Sequence, residues 1–262
     1  MFPRVFSAGE FFLPAYGLLV AIAFLAAVTL TGRLARRAGL DKEAVLNLAI
    51  YCALAGIAGA KLLMWIVDFR YYAGHPGEFF SFSTLQAGGI FYGGLAGALI
   101  TAWVYTNRMG LPPLETADAF APGLALGHAI GRLGCFAAGC CWGIECKRPW
   151  AVTFTNPLAI TGVPLNVPLH PTQLYEAAAE LLIFAGLYRF FGRPHKPGAV
   201  IGLYVFLYGA VRFVVDFFRY HDPGRPPGGL YTAQWISLFL IACAVAGHVA
   251  SHRARTPAAG NA

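Results

Sequence analysis

The chain has 262 residues, is 58% hydrophobic and carries Asp, Glu, Lys and Arg at only 12% of its positions. Soluble domains hold about 25% charged residues, so a water-soluble globular fold is excluded. The net charge of +7 would suit a nucleic-acid binder elsewhere, but no basic face stands clear of the apolar runs, and no nucleic-acid partner is expected.

In chain order the apolar runs are Leu13–Leu30, Ala44–Val67, Gly88–Thr106, the weaker Leu114–Ile130, then Leu174–Phe191, Gly198–Phe218 and Tyr231–Ala250. Each approaches the ~20 residues that cross a hydrocarbon core of about 30 Å. The fold class expected is an all-α membrane protein of about seven transmembrane helices. The first run is long, has Glu10 as well as Arg4 before it, and lacks a small-residue cleavage site, so it reads as a retained helix rather than a signal peptide. Counting from an outside N-terminus, the inner segments hold ten Lys and Arg and the outer ones five, with Lys61, Arg132, Arg212 and Arg219 set aside inside or beside runs. That bias predicts a periplasmic N-terminus and a cytoplasmic C-terminus. One membrane domain is expected over residues 1–250, with outer segments at about 68–87 and 142–168, the second extended, and a disordered cytoplasmic tail at 251–262.

Ionisable groups inside such runs cost at least ~2.5–3.5 kcal/mol each at the bilayer centre, so they mark candidate function. Arg132 follows His128 by one helical turn, with Glu115 and Asp118 upstream; the alternative is an anchor at the outer interface. In "YGAVRFVVDFFRY", Tyr208, Arg212, Asp216 and Arg219 fall on one helical stripe, with a structural ion-pair ladder as the alternative. In "HPTQLYEAAAE", Gln173, Glu176 and Glu180 share a face, and a buried polar network is the plainer reading, preferred for Glu180. Two arginine sites in one membrane suggest an anionic ligand, and a phospholipid headgroup is the abundant anion there, matched by the bidentate guanidinium fork.

"GRLGCFAAGCCWG", with "PAYGLL", "GGIFYGGLAG", "DAFAPGLALGHAIGR", "HPTQLYEA" and "RFVVDFFR" in order around it, resembles the bacterial prolipoprotein diacylglyceryl transferase family along nearly the whole chain. The resemblance implies a multi-pass enzyme of the bacterial inner membrane. Such an enzyme transfers diacylglycerol from phosphatidylglycerol to the lipobox cysteine thiol of a preprolipoprotein signal peptide, with membrane lipid as its other partner and with no cofactor and no metal. It places the family's essential arginines on Arg132 and Arg212 and their acidic partner on Asp216. Tyr16, Gly143 and Asp118 fall on further functional positions; Arg219 and Cys135 join them as substrate-binding candidates, and Tyr92 and His170 as candidates for the proton-handling step.

Three departures stand out. Tyr92 occupies the place of a histidine, Cys135 that of an asparagine and Cys140 that of a glutamate. They leave open a paralogue with another acceptor or donor, or a non-enzymatic lipid-binding or redox-sensing protein on the same scaffold. The spacing Cys135, Cys140, Cys141, Cys146 allows a disulfide, small packing residues, or a thiol activated by Arg132. A metal site needs converging ligands, and the adjacency of Cys140 and Cys141 argues against one.

Overall fold

The computed structural model describes residues 4–8, 11–81, 84, 88–157, 161–221 and 228–253. A short hairpin, β1 (Arg4–Ala8) and β2 (Phe11–Pro14), leads into α1 (Ala15–Arg37). Then follow α2 (Lys42–Val67), the short α3 (Phe69–Gly74), α4 (Phe91–Met109) and α5 (Pro113–Ala138). The two-residue strands β3 (Val152–Thr153) and β4 (Pro168–Leu169) pair antiparallel before α6 (Thr172–Phe191), α7 (Ala199–Asp216) and α8 (Thr232–Arg253). Among the described residues the seven long helices, of 18 to 26 residues, fall on the seven apolar runs. Four of them, α1, α2, α7 and α8, are by length and composition apolar enough to cross a membrane. The protein is thus mostly helical, with two small antiparallel pairs added. The hairpin before α1 has no counterpart in the sequence reading; the segment after α5, expected to be extended, holds the short pair β3–β4 within otherwise irregular chain among the described residues. Helix α8 continues to Arg253, and residues 254–262 of the expected tail lie outside the described residues.

Contacts divide the chain into two compact units, Gly32–Thr116 and Met1–Thr31 with Ala117–Ala262. In the first, Gly39 (φ 74°) ends the first helix, and Asp41 starts α2 by accepting from the N–H groups of Glu43 at 2.9 Å and Ala44 at 3.2 Å. Helices α2 and α4 then meet backbone to backbone. A Cβ on Gly93 would run into the carbonyl of Gly59, one on Gly59 into that of Gly93, and one on Gly97 would lie 2.5 Å from the Ala55 carbonyl oxygen. Two apolar helices in a lipid-like environment gain little from hydrophobicity, so this close approach of small residues is what joins them. The motif "GGIFYGGLAG" is therefore in large part a packing surface.

In the second unit, α5 lies against the first part of α1. A Cβ on Gly123 would run into the Thr31 hydroxyl and the Ala27 carbonyl, and one on Gly134 would lie 3.4 Å from the Tyr16 ring. Ala121, Ala125, Ile183, Leu187 and Val200 form a core shared by α5, α6 and α7. A second core of Phe154, Val163 and Leu169, with Phe136 and Trp142 packed on it, lies under the extended segment.

Substituting Gly93 by Leu is expected to lower the melting temperature of the detergent-solubilised protein by several degrees, because an overpacked contact costs about 1–3 kcal/mol or more. Gly186→Ala, where an added Cβ meets open space, is expected to cause no loss. Thermal unfolding followed by intrinsic tryptophan fluorescence checks both.

Candidate active site

The ends of three helices converge around one carboxylate. Glu176, in the second turn of α6 and 3% exposed, accepts a 2.8 Å hydrogen bond from Arg212 Nη1 of α7 through Oε1. Its Oε2 is ion-paired with Arg132 Nε of α5, and Arg219 Nη1 lies 3.6 Å from Oε1. Arg212 also pairs through Nη2 with Asp216 Oδ1 at 3.0 Å, one turn further along its own helix. Asp216 Oδ2 is 3.2 Å from His221 Nε2. The guanidinium groups of Arg132, Arg212 and Arg219 thus touch two carboxylates, so the contact set holds one positive charge in excess. Their side chains retain about 15% exposure, enough for a ligand to reach a site that is otherwise buried.

His128 continues the network. Its Nε2 accepts from Arg132 Nε at 3.1 Å, which places the ring proton on Nδ1, 3.3 Å from Glu180 Oε1. The Tyr208 ring packs against it at 5.4 Å. Glu180 is therefore the outer member of a chain Arg132–His128–Glu180 and touches no guanidinium among the described residues. That agrees with its reading as part of a buried polar network.

Helix α7 ends at Asp216 rather than continuing through Arg219. The stripe of Tyr208, Arg212 and Asp216 is helical, but Arg219 reaches Glu176 from an extended segment instead. That segment bridges Gly143, and Gly143 is hemmed in on both sides: its N–H donates to the His170 carbonyl at 3.1 Å, and the next N–H, of Ile144, donates to the Phe218 carbonyl at 2.9 Å. A Cβ on Gly143 would lie 2.5 Å from the Phe218 oxygen and 2.6 Å from His170. Only glycine fits this close approach, and the backbone contact fixes where Arg219 and His170 begin. His170 itself stays out of the ion cluster, with Nδ1 3.0 Å from the Tyr175 hydroxyl.

Tyr16, Arg132, Cys135, Cys140 and Cys141 lie within electrostatic reach of one another. The Cys141 thiol is pulled well below the usual range, first by hydrogen bonds from Cys135 and Cys140 and then by the positive Arg219 and Arg132. Asp118 stands apart. It is fourteen residues before Arg132 on α5, or about 21 Å at 1.5 Å per residue. There it accepts from the N–H groups of Gly198 at 2.7 Å and Ile201 at 2.8 Å, capping the start of α7. Tyr92 belongs to the other compact unit and is half exposed on α4. The residue that sequence reasoning left out of the site is Glu176; its spacing from Glu180 and Gln173 was visible, but not that two arginines from other helices would meet it.

A family model described as prolipoprotein diacylglyceryl transferase matches residues 3–250. This chain belongs to that family. The phosphatidylglycerol–prolipoprotein diacylglyceryl transferase of Clostridium tetani is 37% identical over 227 residues, covering 86% of this chain and 88% of the relative. Its namesake in Aromatoleum aromaticum is 36% identical over 262 residues, with 96% and 95% covered. That of Ruegeria pomeroyi is 34% identical over 272 residues, with 92% of each covered. Arg132 and Arg212, the positions on which the resemblance places the family's arginines, both belong to the observed cluster.

Removing one partner from a buried ion pair leaves the other uncompensated and costs about 3–5 kcal/mol. Glu176→Ala is expected to cost at least that lower figure in unfolding experiments, because it strips three guanidiniums at once. Glu180→Gln is expected to cost about 1 kcal/mol, the scale of one hydrogen bond. Equal costs for the two would remove Glu176 from the centre of the network.

Proposed function

We propose that this chain transfers the diacylglyceryl group of phosphatidylglycerol to the thiol of the lipobox cysteine in a preprolipoprotein, as a multi-pass enzyme of the bacterial inner membrane. The family and the names of its relatives support the reaction. The observation that carries the site is the single surplus positive charge left where three guanidiniums meet Glu176 and Asp216. It suits the phosphodiester of a glycerophospholipid, and it is worth more when a second negative charge develops on the departing phosphate.

In this reading residues 1–250 are one transferase domain of seven spans, with the N-terminus periplasmic and the C-terminus cytoplasmic. The end of α5, the start of α6 and the end of α7 then share the outer side, where a translocated lipobox segment arrives. The acceptor thiol, of ordinary pKa about 8.5, loses its proton and attacks the glycerol carbon as thiolate. A sulfur–carbon bond forms, the carbon–oxygen bond breaks, and glycerol phosphate leaves with the electron pair. Arg132 and Arg212 hold that phosphate, Arg219 adds charge, and Asp216 and Glu176 aim Arg212. Tyr16, Gly143, Asp118 and Cys135 are assigned to the substrate site by the resemblance, and His170 and Tyr92 to the proton.

The test is transfer in vitro with purified protein, phosphatidylglycerol and a lipobox peptide. Arg132→Lys and Arg212→Lys are each expected to lose most activity while folding normally, because a point charge does not replace a fork. Near-native turnover in either would end bidentate recognition at that position. A phenol of pKa about 10 is a poor base at neutral pH, and general-base assistance contributes about 10²–10⁴-fold. Tyr92→Phe is therefore expected to lose less than that, and Tyr92→His to be neutral or faster. A well-folded, lipid-binding Tyr92→Phe protein with no detectable transfer would make the phenol part of the chemistry.

A further inference from the structure

The three thiols beside Arg132 form a built cluster. The sulfurs of Cys135, Cys140 and Cys141 all lie within 4.8 Å of one another, and all three are free. Zinc with bonds of about 2.3 Å to tetrahedrally placed sulfurs holds those sulfurs roughly 3.8 Å apart, so the cluster needs to close by about an ångström. A disulfide needs about 2.05 Å between two sulfurs and leaves the third out.

The adjacency that argued against convergence is overcome by the backbone. Gly139 (φ 76°) and Cys141 (φ 61°) flank Cys140 in left-handed conformations and turn both neighbouring thiols toward Cys135. For a residue with a Cβ that conformation costs about 1–2 kcal/mol, and it persists where the surroundings impose it. Here every carbonyl of the turn is held from outside: Thr161 Oγ1 donates to Gly139 at 2.9 Å, Gln173 Nε2 to Cys140 at 2.6 Å and Thr172 Oγ1 to Cys141 at 2.8 Å. The frame takes up the carbonyls of the turn, while the sulfurs meet one another and Cys140 Sγ donates to the Cys135 carbonyl at 3.7 Å.

We propose that Cys135, Cys140 and Cys141 ligate a zinc-class d¹⁰ cation whose fourth position takes the acceptor thiol, an inference that rests on the function proposed above. Three protein ligands and an open position are the pattern of catalytic rather than structural zinc. A thiol that binds such an ion is deprotonated outright, its proton passing to water. The bound thiolate then attacks the glycerol carbon, the sulfur–carbon bond forms as the carbon–oxygen bond breaks, and the glycerol phosphate leaves toward the arginines. The device supplies the ionised nucleophile without a histidine at position 92.

The test uses the full chain in detergent under reducing conditions. Elemental analysis after dialysis is expected to find about one zinc per chain. Cys135→Ser, Cys140→Ser and Cys141→Ser are each expected to lose it, and Cys243→Ser on α8 to keep it. In the cobalt-loaded protein, a cysteine lipobox peptide is expected to intensify the thiolate-to-metal charge-transfer band, and the serine version of the peptide to leave it unchanged. Absence of stoichiometric zinc, or a Cys135–Cys140 or Cys135–Cys141 disulfide found by mass spectrometry in its place, overturns the site. No spectral response to the cysteine peptide overturns the acceptor role. Full diacylglyceryl transfer by chelator-stripped protein also overturns that role while upholding the reaction. Zinc bound without transfer overturns the reaction reading, and the acceptor role with it, and leaves the three-sulfur site standing.

Discussion

A carboxylate that must serve three guanidiniums governs the geometry of this protein. Glu176 sits on α6, while Arg132 comes from α5, Arg212 from α7 and Arg219 from the segment after α7. In an apolar interior each of these charges is costly alone. The helix ends are consequently locked at one rotation and one height, because a displaced helix would strand a charge. The arrangement that makes burial tolerable is also the one that makes chemistry available: Glu176 and Asp216 cancel two positive charges and leave the third for a ligand.

Helix α7 is held by acids at both of its ends. Asp118 caps its first turn from α5, and Glu176 and Asp216 bind Arg212 near its last. Its side-chain charges and its backbone dipole are thereby both satisfied. At the far end the backbone node at Gly143, His170 and Phe218 ties three segments that are distant in sequence. Positioning of the arginines is shared between ion pairs and main-chain hydrogen bonds, so a side-chain change in either set is partly buffered by the other.

Much of this was legible in the sequence. Seven apolar runs foretold the seven long helices, and charges inside those runs pointed to Arg132, Arg212, Asp216 and Arg219, all of which meet. Periodicity placed Glu176 and Glu180 on one face but said nothing of which helix that face would meet, so the hub was missed while its arms were found. Asp118 reads as a charge near a helix start, and only the fold shows it capping a helix eighty residues on. The gathering of the three sulfurs could not be read from spacing, because a positive φ at Cys141 is invisible in the one-dimensional string. The hairpin before α1 carries no clear alternation and was overlooked for that reason.

The Glu176–Arg212 pair also bears on how the chain enters a membrane. On the insertion scale a central Asp, Lys or Arg costs roughly 2.5–3.5 kcal/mol, and α6 brings two buried glutamates while α7 brings an arginine and an aspartate. Most of these groups lie toward the helix ends, where the cost is smaller, but each helix alone would still carry it. Only the residues from Gly192 to Gly198 separate them, so the two are able to leave the insertion machinery as one hairpin with the pair already formed. The charges that would handle substrate are thus also what makes the hairpin tolerable to lipid: a chain whose α7 lacks Arg212 leaves Glu176 to Arg132, on a helix outside the hairpin, and to Arg219 beyond its end.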